Sequence, residues 1–72
     1  MSEEEKMLVF ADVLDMDQSE FSLDTVLAEL DNWDSVAMLA FMAMMDERFG
    51  KTVKGADIRN FRTVQDAINF MG

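Results

Sequence analysis

Apolar residues recur at three- and four-residue steps near the start of the chain and predict a first helix. Ser2 followed by Glu5 is the signature of a capping box, in which each side chain accepts a hydrogen bond from an unpaired amide of the first turn. The apolar positions that follow share one helical face: Met7, Phe10, Ala11 and Leu14. The spacing therefore predicts an amphipathic helix over residues 2–14.

The period is lost after this helix, and residues 16–34 mix polar side chains with scattered apolar ones. The apolar anchors are Phe21, Leu23, Val26, Leu27 and Leu30. This pattern predicts a long ordered loop that is pinned to the core. Loops of this length in small domains usually carry function.

The segment from Asp34 to Gly50, DSVAMLAFMAMMDERFG, predicts the strongest helix, capped by Asp34 or Ser35 and closed by the glycine. At about 100° per residue, one predicted face points inward: Met38, Leu39, Met42, Met45 and Phe49. The opposite face holds Ala37, Ala40, Ala43, Met44 and Glu47. A helix that is apolar nearly all round is either buried or forms an interface. Since a bundle this small cannot bury it fully, we expect the strip Ala37, Ala40 and Met44 to be a contact surface.

The last third of the chain predicts a short helix over residues 56–61 and a terminal helix that begins after Thr63. Its apolar stripe is Val64, Ala67, Ile68 and Met71. No alternating strand pattern occurs. The fold class is therefore predicted as all-α, a four-helix bundle with three main helices and a short third one, in a single domain over residues 1–72.

Composition excludes several classes of function. The 72 residues include no cysteine and no histidine, which rules out disulfide frameworks, cysteine-rich zinc sites and any nucleophile that needs an imidazole base. Fifteen acidic against six basic side chains give a net charge of −9, which disfavours nucleic acid as a partner. No apolar run approaches the roughly 18 residues that span a bilayer, and the acidic start is unlike a secretory signal. We expect a cytoplasmic protein with no membrane span.

The negative charge lies almost entirely in the first half of the chain. Residues 1–35 carry eleven acids and one base, whereas residues 36–72 carry four acids and five bases. This distribution predicts an acidic surface beside an apolar second helix, with Ser35 at their junction.

Acidic residues in the loop invite comparison with a calcium-binding loop: Asp12, Asp15, Asp17, Glu20 and Asp24. A loop that starts at Asp15 has Glu20 where the sharp turn needs glycine and Val26 where the bidentate glutamate belongs. We therefore predict a solvated acidic loop and no metal site.

Ser35 stands where the long loop becomes the second helix. It has no imidazole partner, so we predict no catalytic residue here. Two interpretations of its hydroxyl remain. It is either an ordinary N-cap or an attachment point for a phosphate-bearing group, which the free amides and positive dipole of a helix N-terminus would stabilise.

The whole chain resembles an acyl carrier protein. The resemblance rests on the LDNWDSV junction, the apolar helix ending in ERFG and the TVQDAINFM terminal segment, in the order of that family. The family attaches 4′-phosphopantetheine to the serine of a D-S-L motif at the start of its second helix. That motif maps onto Asp34, Ser35 and Val36.

The resemblance implies a carrier that performs no chemistry itself. A phosphopantetheinyl transferase would place the cofactor on Ser35, and acyl groups would then be carried as thioesters on its terminal thiol. Asp34 would cap the helix and orient the serine. The implied partners are this transferase and acyl-transferring or acyl-activating enzymes, with the carrier a monomer.

Departures from the family pattern concern the surroundings of Ser35. Trp33 stands where a small residue is usual, either as a packing anchor or as a wall beside the cofactor arm, and Val36 replaces leucine. Met38 is the methionine we expect to border the arm.

Charge also departs from the family pattern. Relatives commonly present acidic residues on the outer face of the second helix, where this chain has Ala37, Ala40 and Met44 before Glu47. The bases Lys51, Lys54, Arg59 and Arg62 follow that helix. These differences suggest a specialised lipid, polysaccharide or polyketide-type pathway rather than general fatty acid biosynthesis.

Two alternatives stay open at this point. A peptidyl or aminoacyl carrier would have the same arm and a different cargo. An unmodified helical adaptor that binds a partner through its second helix would have the same fold without the arm.

Overall fold

The computed structural model describes residues 1–72 and contains four α-helices. They are α1 (Glu3–Leu14), α2 (Ser35–Met44), α3 (Gly55–Arg59) and α4 (Val64–Phe70). Short 3-10 turns at Gln18–Glu20 and Leu27–Glu29 lie within the long loop, and a π-helical turn, Met45–Phe49, extends α2. The only β-type pairing is an isolated bridge between Val26 and Thr63. The all-α prediction is therefore confirmed, including the short third helix and the long loop after the first.

Carboxylates at the start of helical segments fix where those segments begin. The Ser2 hydroxyl accepts a hydrogen bond from the Glu5 amide at 3.2 Å, and the Glu5 carboxylate accepts one from the Ser2 amide at 3.1 Å. The Asp66 carboxylate likewise accepts hydrogen bonds from the Arg62 and Thr63 amides before α4. These backbone hydrogen bonds hold the pKa of both carboxyl groups below the usual range.

The long loop is tied to both ends of the bundle. The Asn32 side-chain amide donates to the Leu14 carbonyl at 2.8 Å, where α1 ends. The Leu27 amide donates to the Arg62 carbonyl at 2.9 Å, and the Gln65 amide donates to the Leu23 carbonyl at 2.9 Å, beside the start of α4. The loop is therefore ordered and pinned, as predicted, and it delivers the chain to the start of α2 in a defined position.

The core is one cluster of 15 buried residues with an aromatic centre. The fully buried Phe41 ring lies 5.9 Å from Phe10, 6.1 Å from Trp33 and 5.7 Å from Phe61, each in an edge-to-face arrangement. Such pairs stabilise aromatic side chains beyond the area that they bury. Phe41 therefore decides which side of α2 faces inward.

The predicted inward face of α2 is wrong: the helix is rotated about its axis by about 100°, the angle between consecutive residues, from the predicted orientation. The buried side chains of this helix and its extension are Ala37, Phe41, Met44 and Met45. Leu39, predicted to be inside, is 65% exposed, whereas Ala37 and Met44, predicted to be outside, are 4% and 8% exposed. Ala40, Ala43 and Glu47 are exposed as predicted. The helix is apolar on nearly every side, so its period alone leaves the rotation undetermined.

None of the helices combines the length and the hydrophobicity that a membrane crossing requires.

Candidate functional site

Asp34, and not Ser35, caps α2. Its Oδ1 accepts a hydrogen bond from the Ala37 amide at 2.9 Å, and its carbonyl accepts one from the Met38 amide at 2.9 Å. Ser35 is the first residue inside the helix. The interpretation of Ser35 as an ordinary N-cap is therefore wrong, because its neighbour already fills that role.

The Ser35 hydroxyl lies at the surface, in an environment suited to a phosphate ester. The side chain is exposed. The first amides of an α-helix have no partner within the helix, and the helix dipole leaves partial positive charge at this end. The residues present therefore fit an attached phosphodiester, whose oxygens could accept hydrogen bonds from the amides of the first turn that Asp34 does not already bind.

Trp33 and Met38 line a groove on the α3 side of this site. The groove has a volume of about 260 Å³, and its other lining residues are Leu27, Ala28, Ile58, Arg59 and Phe61. The Trp33 ring also lies 5.6 Å from the Phe10 ring, so it packs against the core while one side faces the groove. The packing interpretation of Trp33 is thus confirmed. Its role beside a cofactor arm, and that of Met38, stay predictions.

A second groove runs between α1 and α2. We call it the α1–α2 seam. It has a volume of about 310 Å³ and is lined by Val9, Asp12, Val13, Ala40, Ala43, Met44, Glu47 and Arg48. The α1 side of this groove was not predicted from the sequence, because Val9 and Val13 lie outside the apolar stripe of Met7, Phe10, Ala11 and Leu14.

A third depression, of about 360 Å³, adjoins the start of α2. It shares Val13 with the α1–α2 seam and is bordered by three carboxylates, Asp15, Asp31 and Asp34. Val36, directly after Ser35, also lines it and is 74% exposed. The surface near Ser35 is thus acidic on the loop side and apolar along α2.

The predicted contact strip on α2 needs correction. Ala37 and Met44 are buried, so they do not form an exposed strip with Ala40. Ala40 lies at the surface and lines the α1–α2 seam, and Glu47 lies at the surface beside it. The exposed apolar residues nearest the start of α2 are instead Val36 and Leu39.

The acidic loop residues have local structural roles. No group of three carboxylates comes together in a geometry that could hold a metal ion. Asp15 ends α1 in the left-handed conformation, with φ of 55°. The Asp17 carboxylate accepts a hydrogen bond from the Ser19 amide at 2.9 Å, and this bond holds its pKa below the usual range.

The basic residues after α2 separate into different roles. The Lys51 ammonium donates a hydrogen bond to the Phe70 carbonyl at 3.0 Å and lies 5.6 Å from the centre of the Phe70 ring. It therefore stabilises the end of α4. Arg59 instead borders the groove that holds Trp33 and Met38.

Comparisons with known proteins point to one kind of site. A family model described as "Phosphopantetheine attachment site" matches residues 8–71. A curated relative, the acyl carrier protein of Kocuria rhizophila, is 34% identical over 38 residues, which cover 53% of this chain and 47% of the relative. The chain thus spans about half the length of that relative in the match.

Proposed function

We propose that Ser35 bears a 4′-phosphopantetheine arm, because the chain belongs to the phosphopantetheine-attachment family. Members of this family are carriers and not enzymes, and the match agrees with the predicted resemblance to acyl carrier proteins. Asp34, Ser35 and Val36 correspond to the D-S-L motif of the family, which makes Ser35 the proposed attachment residue.

The observation that carries this proposal is the division of roles between Asp34 and Ser35. The Asp34 carboxylate caps α2 by accepting a hydrogen bond from the Ala37 amide. The exposed Ser35 hydroxyl is therefore not the cap of this helix. A hydroxyl inside the first turn also lies near amides that can bind phosphate oxygens. Support for the proposal is therefore both local geometry and family membership.

The modification itself is a phosphoryl-type transfer from coenzyme A. A bond forms between Ser35 Oγ and the phosphorus of the pantetheine phosphate, and the phosphoanhydride bond of coenzyme A breaks. The adenosine bisphosphate leaves with the bonding electron pair, and the hydroxyl proton passes to a base of the transferase. In this step the chain presents its hydroxyl at a rigid helix end, while the transferase supplies the catalytic groups.

The bound arm supplies a terminal thiol on which acyl groups are carried as thioesters. This chain has no cysteine of its own, so the arm is the source of that thiol. Tethering the cargo to a small protein raises its effective concentration at each partner enzyme. The partners we propose are a phosphopantetheinyl transferase and acyl-transferring or acyl-activating enzymes.

The surface of α2 supports a specialised pathway. Residues 35–45 contain no charged side chain, so the start of this helix offers apolar contacts where acidic ones would attract a general basic partner. We propose a lipid, polysaccharide or polyketide-type route. We also propose that residues 1–72 act as a single carrier domain, which the single core cluster supports. The cytoplasmic location and the monomeric state stay predictions.

Intact mass measurement tests the modification. The purified protein is incubated with coenzyme A and a broad-specificity phosphopantetheinyl transferase, alongside a carrier known to react. We expect a mass gain of one arm, which Ser35→Ala abolishes and the matched change Ser19→Ala does not. Helical circular dichroism should be the same for both variants, because both serines are exposed.

Two results would contradict the proposal. No mass gain in the native chain, while the control carrier reacts, would favour an unmodified adaptor. A mass gain that persists in Ser35→Ala would move the attachment to another residue.

A further inference from the structure

We propose that Arg59 makes this carrier selective for acyl groups that end in a carboxylate. In this proposal the apolar part of the acyl chain lies in the groove of Trp33 and Met38, which we call the Trp33 groove. The terminal carboxylate of the acyl group pairs with the Arg59 guanidinium. The inference rests on the proposed function, because the cargo reaches the groove through an arm on Ser35.

The Trp33 groove begins one helical turn from Ser35. Met38 follows Ser35 by three residues, which is about 4.5 Å along the axis of α2, and Trp33 precedes Ser35 by two residues. A phosphopantetheine arm is longer than this distance, so its thiol and the attached acyl group can fold back to the groove. The tether also holds the cargo at a high effective concentration there, so weak contacts with the groove suffice to select it.

The lining of the groove combines an apolar surface with one ionisable side chain. Six of the seven lining residues are hydrophobic, and Arg59 is the seventh. The volume of about 260 Å³ gives room for about eight non-hydrogen atoms, at the roughly 30 Å³ that a water molecule occupies in the liquid. An acyl chain of about six carbon atoms that ends in a carboxylate has this size. Its alkyl part matches the apolar lining, and its charged end matches the guanidinium.

Arg59 is the last residue of α3, and its side chain runs back along that helix. A Cβ atom built at Gly55 would lie 3.3 Å from a guanidinium nitrogen of Arg59. The missing side chain at Gly55 therefore leaves room for the guanidinium beside the groove. Because the Arg59 side chain is exposed, its planar group of donors is accessible to a carboxylate, which arginine binds in a bidentate geometry.

The carboxylates nearest in sequence to the lining residues do not line the groove. Glu29, which follows the lining residue Ala28, is exposed, and the Asp57 Oδ2 atom accepts a hydrogen bond from the Lys54 amide at 3.0 Å. The net charge of −9 repels an anionic cargo at long range. At physiological ionic strength, however, exposed charges more than about 8 Å apart are largely screened, whereas a contact with Arg59 is not. A cargo that ends in a methyl group would gain nothing from the guanidinium.

Thioester reactivity tests the selectivity of Arg59. A broad-specificity transferase loads the native chain from the coenzyme A thioesters of two acyl groups, hexanedioyl and its neutral monoamide. The two groups have nearly the same size and differ in the charge of their ends. The variant is Arg59→Gln, and the matched control is Arg62→Gln, an exposed arginine that does not line the groove. Cleavage of each thioester by hydroxylamine is followed by intact mass, with the free coenzyme A thioesters as the reference for intrinsic reactivity.

Relative to the reference thioesters, we expect the native carrier to cleave about fivefold more slowly with hexanedioyl than with the monoamide, the upper range for an exposed ion pair. Arg59→Gln should make the two rates equal, and Arg62→Gln should keep the native ratio. About 1 M NaCl should bring the native ratio close to one, because salt screens the ion pair. The fluorescence emission of Trp33, the only tryptophan, should shift when the hexanedioyl group is loaded, because the cargo displaces water from the groove.

The outcomes separate this inference from the carrier proposal. If the native chain accepts neither group while a control carrier reacts, the carrier proposal fails, and the selectivity fails with it. If both groups are loaded on Ser35 and are cleaved at equal rates, the selectivity is overturned while Ser35 stays the attachment point. A native ratio that persists in Arg59→Gln, or that Arg62→Gln abolishes equally, would mean that Arg59 does not select the cargo. Equal Trp33 emission with the bare arm and the hexanedioyl arm would show that the cargo does not enter the groove, which also overturns the inference.

Discussion

Two adjacent polar residues at the start of α2 have roles that their chemistry alone does not distinguish. Aspartate and serine are both good N-caps, and either one would satisfy the amides of the first turn. In the structure the Asp34 carboxylate binds the Ala37 amide, and Ser35 begins the helix. The choice depends on the backbone that the pinned loop delivers, with Asp34 in an extended conformation. It leaves the serine hydroxyl available for the proposed modification.

Gly50 is a second residue whose conformation matters more than its contacts. It ends the π-helical extension of α2 with φ of 63°, and a Cβ atom built there would meet nothing within 4 Å. We therefore expect Gly50→Ala to lower the free energy of unfolding by about 1 kcal/mol, because alanine resists left-handed backbone. Urea unfolding measures this change.

Gly50→Asn is the matched control, since asparagine tolerates the left-handed region better than alanine does. It should cost less than Gly50→Ala. Equal losses for both variants would show that a side chain at this position, and not the backbone conformation, causes the effect.

At the scale of the element, α2 shows the limit of periodicity. The apolar composition of this segment predicted the helix correctly but its buried face incorrectly, because almost any rotation about the helix axis places apolar side chains in the core. The rotation is set by Phe41, whose ring meets the rings of Phe10, Trp33 and Phe61. Trp33 stands just before α2, but Phe10 and Phe61 come from α1 and from the segment after α3, so a window of sequence around α2 lacks two of the three partners.

The observed rotation of α2 predicts that two substitutions on this helix change the free energy of unfolding by very different amounts. Met44→Glu should lower the free energy of unfolding by about 3 kcal/mol, because Met44 is 8% exposed and the new carboxylate would lose hydration. Leu39→Glu should change it by less than about 0.5 kcal/mol, because Leu39 is 65% exposed. Chemical denaturation of both variants measures the difference. Equal stability would mean that the buried face is misplaced.

At the scale of the whole molecule, the two halves of the chain differ in net charge but share one core. The first half carries a net charge of −10 in α1 and the loop, whereas the second half is close to neutral. Both halves nevertheless contribute to one core, with Phe10 and Leu27 from the first half buried beside Val64 and Met71 from the second. Folding therefore concentrates like charges on one surface at a cost in electrostatic repulsion.

Added salt should consequently stabilise the fold. At neutral pH we expect the thermal midpoint to rise by about 5 °C between very low ionic strength and 0.15 M NaCl, because screening by salt weakens repulsion among the carboxylates. Circular dichroism during heating measures the shift. The double variant Asp15→Asn with Asp31→Asn should show a smaller rise.

A midpoint that falls over this range of salt would contradict the expectation. It would mean that attractive ion pairs outweigh repulsion on the acidic surface.

The sequence alone determined the helices, the capping box of α1 and the position of Ser35 at the start of α2, but not which of Asp34 and Ser35 caps α2. These features depend on neighbouring residues: the capping box of Ser2 and Glu5, Thr63 directly before α4, and the order of the D-S motif before an apolar helix. Interactions over three or four residues suffice to set them, and the structure has each helix close to its predicted position.

Only the tertiary structure decided which face of α2 is buried and which grooves lie beside Ser35. The α1–α2 seam needs Val9 and Val13 from one helix and Ala40 and Ala43 from another, and the Trp33 groove needs residues of α3. Such surfaces depend on how distant segments pack, and an almost uniformly apolar helix does not encode its own rotation. The burial of Phe41 among rings from three other segments supplies that choice.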